Sequence, residues 1–182
     1  LTPSLIRQLD DIGAGAKDLY WVHSEIPAEE LTDEQKQFIL ERFFDINPKV
    51  VDRFPRYVEL SQQRGGDSLQ VWTAQDFRDL QVLFNLAWTD PDWLSQEPLA
   101  SLVLKGRDFA EADKAPVFAE HLRLVQAVIP RHAEMQQAGQ IEITMSPFAH
   151  PILPLLVDSN LAQVALPEAE LPSRFVYGQD AV

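Results

Sequence analysis

One stretch limits what this chain can fold into more than any other. It reads Gly139-Gln140-Ile141-Glu142-Ile143-Thr144-Met145-Ser146-Pro147-Phe148-Ala149-His150-Pro151-Ile152-Leu153-Pro154-Leu155-Leu156. Ile141, Ile143 and Met145 alternate with Glu142 and Thr144, and a period of two marks a half-buried strand. Gly139 breaks whatever precedes it, and Ser146-Pro147 ends the strand because proline has no N–H for a ladder. A single strand leaves its backbone donors and acceptors unpaired on both sides. Either weak strands pair with it, for example around Gln70-Val71-Trp72, or its sheet lies outside this polypeptide. In barrels and open α/β sheets ligands sit at the C-terminal ends of strands, which draws attention to Glu142 and His150.

The rest of the chain reads as helix. Thr2-Pro3 opens one, with a capping hydroxyl and a proline at the first helical position, and Gly13-Ala14-Gly15 ends it. The stretch to about Leu31 reads as a loop anchored by Leu19, Tyr20 and Trp21. Thr32 with Gln35 forms a capping-box pattern, and Ile39, Phe43 and Ile46 follow at helical spacing, with Phe38 widening the stripe. Asn47-Pro48 stops that helix. A short helix from Pro55 carries Tyr57, Val58 and Leu60 and closes at Gly65-Gly66. Thr73 caps the clearest helix, whose face is Phe77, Leu80, Phe84, Ala87 and Trp88. Pro98 opens a further short helix. Residues 111–138 read as the longest helix, with a kink or break at Pro130. Asp158-Ser159-Asn160 caps a short helix through Leu161 to Leu166, and an irregular tail follows.

Composition narrows the function classes. Hydrophobic residues make up 46 % of the 182, within the globular range. Acidic residues outnumber basic ones 28 to 15, for a formal charge of −13. That field repels phosphate backbones and anionic membranes, so neither nucleic acid nor membrane is an expected partner. With no cysteine, disulfides and thiolate metal sites are excluded. No apolar run reaches membrane-spanning length and no leader-like segment is visible, so the expected location is cytoplasmic. Leucine rather than methionine stands first, as in a processed or truncated chain.

Several constellations invite a chemical reading. On the residues alone Glu142 is a solvated strand acid, the ordinary state of glutamate. His150, between Ala149 and Pro151, either packs its stiff loop or donates to a ligand beside Glu142. Asp76 with Asp79, Asp90 with Asp92 and Asp10 with Asp11 are explained by capping and solvation, and none is nominated as catalytic. Trp88 reads as core. Trp93, in Asp90-Pro91-Asp92-Trp93, reads as a loop residue able to stack on a ring, and Arg56 as a salt-bridge partner. There is no metal-ligand spacing, no phosphate-cradling glycine loop and no nucleophile elbow; no cofactor and no metal are expected.

The segment from Gly139 to Leu156 resembles the second conserved region of the family-57 glycoside hydrolases, G-Q-I-E followed by a run ending H-P-I-L-P-L-L. It departs from that pattern at Met145 and Ala149. Leu1-Thr2-Pro3-Ser4-Leu5, Phe38-Ile39-Leu40-Glu41-Arg42-Phe43-Phe44, Phe54-Pro55-Arg56-Tyr57, Asp76-Phe77-Arg78-Asp79-Leu80-Gln81 and Phe84-Asn85-Leu86-Ala87-Trp88 are similar to the family's α-glucan-active members. The resemblance implies a retaining hydrolase or 4-α-glucanotransferase working through a covalent glycosyl-enzyme. It implies that Glu142 binds the sugar at the cleavage subsite and that His150 assists; Trp93, from its loop position, is the candidate to stack on a further sugar ring. The family's H-Q-P region is not found in this sequence, and its nucleophile and acid/base regions lie C-terminal to this segment.

The expectation is therefore a mainly α chain with one or two short strands, a helical segment of a (β/α)7-barrel glycosidase domain. Residues 1–182 form a single segment. Within it, 1–138 are the helical region, 139–157 the barrel strand and active-site loop, and 158–182 a short helix and tail. The expected partners are an α-glucan or maltooligosaccharide and the remainder of the parent catalytic barrel. No catalytic residue is expected in this chain, which alone should be inactive. The competing reading is a non-enzymatic helical module that binds a protein, or a second copy through the unpaired strand edge.

Overall fold

The computed structural model describes residues 2–65, 68–144, 146–148 and 150–181. Its helices are α1 (Pro3–Gly13), α2 (Leu19–Glu25), α3 (Asp33–Arg42), α4 (Pro48–Val51), α5 (Pro55–Gln63), α6 (Ser68–Val71), α7 (Ala74–Ala87), α8 (Pro91–Leu94), α9 (Leu99–Lys105), α10 (Lys114–Gln137), α11 (Leu153–Val157) and α12 (Ala162–Ala165). The chain divides into two units, one of Asp11–Val128 and one of Leu1–Asp10 with Ile129–Val182.

The Asp11–Val128 unit is organised around α7. Thr73 opens this helix with a capping box: its Oγ1 accepts the Asp76 N–H at 3.2 Å and its own N–H donates to Asp76 Oδ2 at 2.7 Å. Phe77 to Phe84, Leu86 and Ala87 are all buried, and a helix buried all round is a core helix. Aromatic rings fill the space beside it. Phe43 stacks on Phe84 at 4.2 Å between centroids, and Tyr20 on Phe84 at 5.7 Å. Ile39, Tyr57, Leu60, Leu99 and Phe109 are also fully buried. The Tyr57 hydroxyl donates to the Phe43 carbonyl, and burial pushes that phenol above its usual range.

Three local expectations need correction here. The stretch before Leu31 is not all loop. Asp18 Oδ1 accepts the Trp21 N–H at 2.7 Å and starts α2, whose seven residues are too few for a readable period. Gln70-Val71-Trp72 is not a strand. Gln70 and Val71 lie in α6, and the Trp72 ring packs on Phe77 and Phe44. Helix α10 runs from Lys114 to Gln137 with Pro130 inside it, so of the expected kink or break the break does not occur; the proline has no N–H to give the Gln126 carbonyl. The other capping box holds as read: Thr32 Oγ1 accepts from Gln35 N, and Thr32 N donates to Gln35 Oε1 at 2.9 Å.

In the other unit, Thr2 Oγ1 accepts the Leu5 N–H at 3.3 Å and opens α1. Gly139 takes a left-handed φ of 68° after α10, and the Gln140 N–H reaches back to the Met135 carbonyl at 2.9 Å. A residue without Cβ suits that stop. The tail is anchored rather than loose. Tyr177 N–H donates to Leu156 O at 2.8 Å, Phe175 N–H to the buried Ser159 Oγ at 3.0 Å, and Arg174 pairs with Asp158.

The described residues include no strand, so the one or two short strands expected of the fold are not formed within them. Ile141 to Thr144 make no ladder hydrogen bond with any described residue. Met145, the expected last residue of the strand, Ala149 beside His150, Gly66 at the end of α5 and Leu1 at the head of the first family-like motif lie outside the described residues. No described helix is long and apolar enough to cross a membrane.

Candidate functional site

Although unpaired, 141–144 keep the side-chain alternation that the sequence predicts. Ile141 and Ile143 are half-buried, while Glu142 and Thr144 are exposed. The Glu142 carboxylate has no hydrogen-bond or ion-pair partner among the described residues. Free acceptor oxygens on an exposed carboxylate can take hydrogen bonds from ligand hydroxyls, and charge-assisted ones are the stronger kind. The loop that follows is tightly set. His150 N–H donates to the Pro147 carbonyl at 2.9 Å, and His150 itself adopts a left-handed φ of 54°. For a residue with a Cβ that conformation costs about 1–2 kcal/mol. Pro151 follows directly and fixes the chain beyond it. The imidazole is exposed on this bent backbone.

Trp93 belongs to the other unit. It stands in α8, not in a loop: Asp90 Oδ1 accepts the Asp92 N–H at 2.9 Å, and Pro91 takes the first turn. Its ring is half-buried, with the Arg123 guanidinium 4.9 Å from the centroid. Glu120 holds that guanidinium by its Nε and NH2 groups at 2.8 Å and 2.5 Å. One face of the indole is thus occupied by a cation, an attractive arrangement for both. Glu142 and His150 share a unit and a short segment; Trp93 shares neither with them.

The acidic pair Asp76 and Asp79 is a structural device. Arg56 Nε donates to Asp79 Oδ2 at 2.9 Å and its NH2 group to Asp76 Oδ1 at 2.5 Å. Asp79 Oδ1 also accepts from Gln75 Nε2 at 2.8 Å and from the Phe109 N–H at 3.0 Å. Solvation does not explain Asp79, whose side chain is 1 % exposed. Burial pushes the Asp76 carboxyl up, but hydrogen bonds from Thr73 and Arg56 outweigh it and hold it below its usual range.

A second network joins Arg78 to Glu29 and to Glu111, whose Oε1 also accepts the Ala28 N–H at 2.9 Å. Lys114 completes it, 2.8 Å from both Glu111 Oε2 and the Ile26 carbonyl. Burial depresses the Lys114 ammonium, and Glu111 only partly restores it. Arg56, Asp76, Arg78, Asp79 and Gln81, all within the motifs singled out from the sequence, therefore hold α7 in place. None of them presents a free carboxyl for catalysis.

Sequence reasoning also misplaced Trp88. It follows the apolar stripe of α7 but caps the helix, and it is 61 % exposed. No cluster of potential metal ligands occurs among the described residues.

The family model described as glycosyl hydrolase family 57 matches residues 17–173, which include Glu142, His150 and Trp93. Comparison with curated proteins and with solved structures finds no match.

Proposed function

Because the chain belongs to glycosyl hydrolase family 57, we propose that it is part of a retaining hydrolase or 4-α-glucanotransferase acting on α-glucans. In this reading Glu142 accepts hydrogen bonds from vicinal hydroxyls of the sugar at the cleavage subsite. His150 donates to a neighbouring hydroxyl, and Trp93 offers its remaining ring face to a further sugar. The observation that carries the proposal is the exposed, unpartnered Glu142 within a G-Q-I-E to H-P-I-L-P-L-L segment inside the matched region.

A retaining glycosidase needs two carboxyls about 5–5.5 Å apart, one as nucleophile and one as acid then base. The close pair Asp76 and Asp79 is committed to Arg56, so we assign that chemistry to other parts of the parent (β/α)7 barrel. The unpaired Ile141–Thr144 segment joins the sheet of that barrel, where its backbone groups gain partners.

The test is a reducing-sugar assay of the purified chain on soluble starch and maltooligosaccharides, with size-exclusion chromatography run with and without the sugar. The expected result is saccharide binding with no turnover. Clear turnover would mean that the nucleophile and acid/base are in this chain. A dimer indifferent to sugar would favour a self-association module instead.

A further inference from the structure

A cleft of about 390 Å³ opens within the Asp11–Val128 unit, between the start of α2, the end of α7 and His121 of α10. That volume lies in the range of small-molecule sites, roughly 300–1,000 Å³. Its walls are aromatic. Trp88 stands 61 % exposed at one side, with Phe84 beneath it at 6.4 Å between ring centroids. Trp21 lines another side and is fixed from behind. Its ring stacks on Phe118 at 5.2 Å and its Nε1–H donates to Glu25 at 2.8 Å.

The polar groups in the cleft are acceptors or neutral. Asn85 spends its amide N–H groups on Ser24 Oγ and the Gln81 carbonyl, both at 2.8 Å, which leaves its carbonyl oxygen for a ligand. Asp18 uses Oδ1 to cap α2 and keeps Oδ2. Asp45 adds a second carboxylate. His121 Nε2 lies 2.8 Å from Thr89 Oγ1. No lysine or arginine lines the cleft.

Arg42 pairs with Asp45 Oδ2 at 3.4 Å but is not part of the lining; two carboxylates with no lysine or arginine beside them in the walls disfavour phosphate, sulfate and carboxylate ligands. Flat apolar rings beside oxygen acceptors suit a neutral polyol, whose C–H face covers the indole while its hydroxyls donate to Asp18, Asp45 and Asn85. We infer that this cleft is a second carbohydrate site, taking a glucosyl unit of the α-glucan on Trp88 through residues distinct from Glu142, His150 and Trp93. The inference rests on the family reading for its ligand class and on the cleft alone for its position.

The test titrates maltohexaose into the intact chain by calorimetry and compares wild type with Trp88→Ala, Trp88→Phe and Glu142→Gln. W88A should weaken binding about tenfold, ~1.4 kcal/mol, and W88F should retain most of the affinity. Circular dichroism checks that each variant is folded. In the wild-type chain maltohexaose should also shield Trp88 from oxidation by N-bromosuccinimide, read by peptide mass spectrometry, whatever the variants do. Unchanged affinity in W88A, with no shielding of Trp88, overturns the cleft. If E142Q alone then abolishes binding, the proposed function stands without it. Weakening by W88A but not by E142Q upholds the cleft and removes Glu142 from the account. No binding by wild type overturns both.

Discussion

Replacing Arg56 by methionine should destabilise the Asp11–Val128 unit by about 3–5 kcal/mol, the usual cost of breaking one side of a buried pair. The size follows from what is left behind. The Arg56 side chain is 10 % exposed and its main partner Asp79 only 1 %. Methionine fills much of the volume but donates nothing. Asp79 keeps the bonds from Gln75 and the Phe109 N–H but loses the one cation paired with it among the described residues. The third partner, Glu59, is 41 % exposed and adds little. Such a loss is a large part of the roughly 5–15 kcal/mol that holds a domain folded. All four tryptophans, Trp21, Trp72, Trp88 and Trp93, lie in this unit, so intrinsic fluorescence in a urea titration reports it selectively. With a slope of ~1.5–2 kcal/mol/M the midpoint should fall by about 2 M. The double variant R56M/D79N should recover part of the loss, because an asparagine carbonyl still accepts the Phe109 N–H and no buried charge remains. A cost below about 1 kcal/mol for R56M, or no recovery in the double variant, would refute the argument.

Thr73→Ala removes the cap of α7 and should cost about 1 kcal/mol in the same titration. Asp76, held below its ordinary value near 3.8, adds stability that is present above that value and lost as pH falls through the lower folded one. The stability gap between wild type and Asp76→Asn should therefore be constant from neutral pH down to about 5 and shrink below about 4. Burial depresses the His121 imidazole, more than the Asn85 backbone carbonyl and the nearby Glu120 raise it, below its ordinary value near 6.5. The unfolded chain then takes up the proton first, so stability should fall as pH drops through 6.5 toward the folded value. His121→Gln should flatten that part of the profile, as measured by urea midpoints at several pH values.

Local signals were legible and long-range ones were not. The capping boxes at Thr32 and Thr73 sit within four residues of sequence, and both are formed. The apolar stripe of α7 was readable too. What could not be read was that Arg78, Asp79 and Gln81 on its other side are buried as well. Their partners are Glu29, Glu111, Arg56, Phe109 and the carbonyls of His23 and Ile26, far away in sequence. Trp88 kept the helical spacing but lies at the cap, where the stripe runs out of neighbours. The Ile141–Thr144 alternation was visible in the sequence and persists in the burial pattern. Pairing, however, belongs to two segments at once, and one segment cannot predict it. Helix α2 had a readable cap in Asp18, but the four aromatic and aliphatic residues after it masked the signal.

Amide chemical-shift mapping of the isotope-labelled chain with maltohexaose tests most directly whether this polypeptide binds sugar through its G-Q-I-E segment. The account predicts shifts at Gln140 to Thr144 and at His150 that saturate with sugar and vanish in Glu142→Gln. Saturating shifts elsewhere with none across 140–150, or shifts there that survive the substitution unchanged, would contradict it.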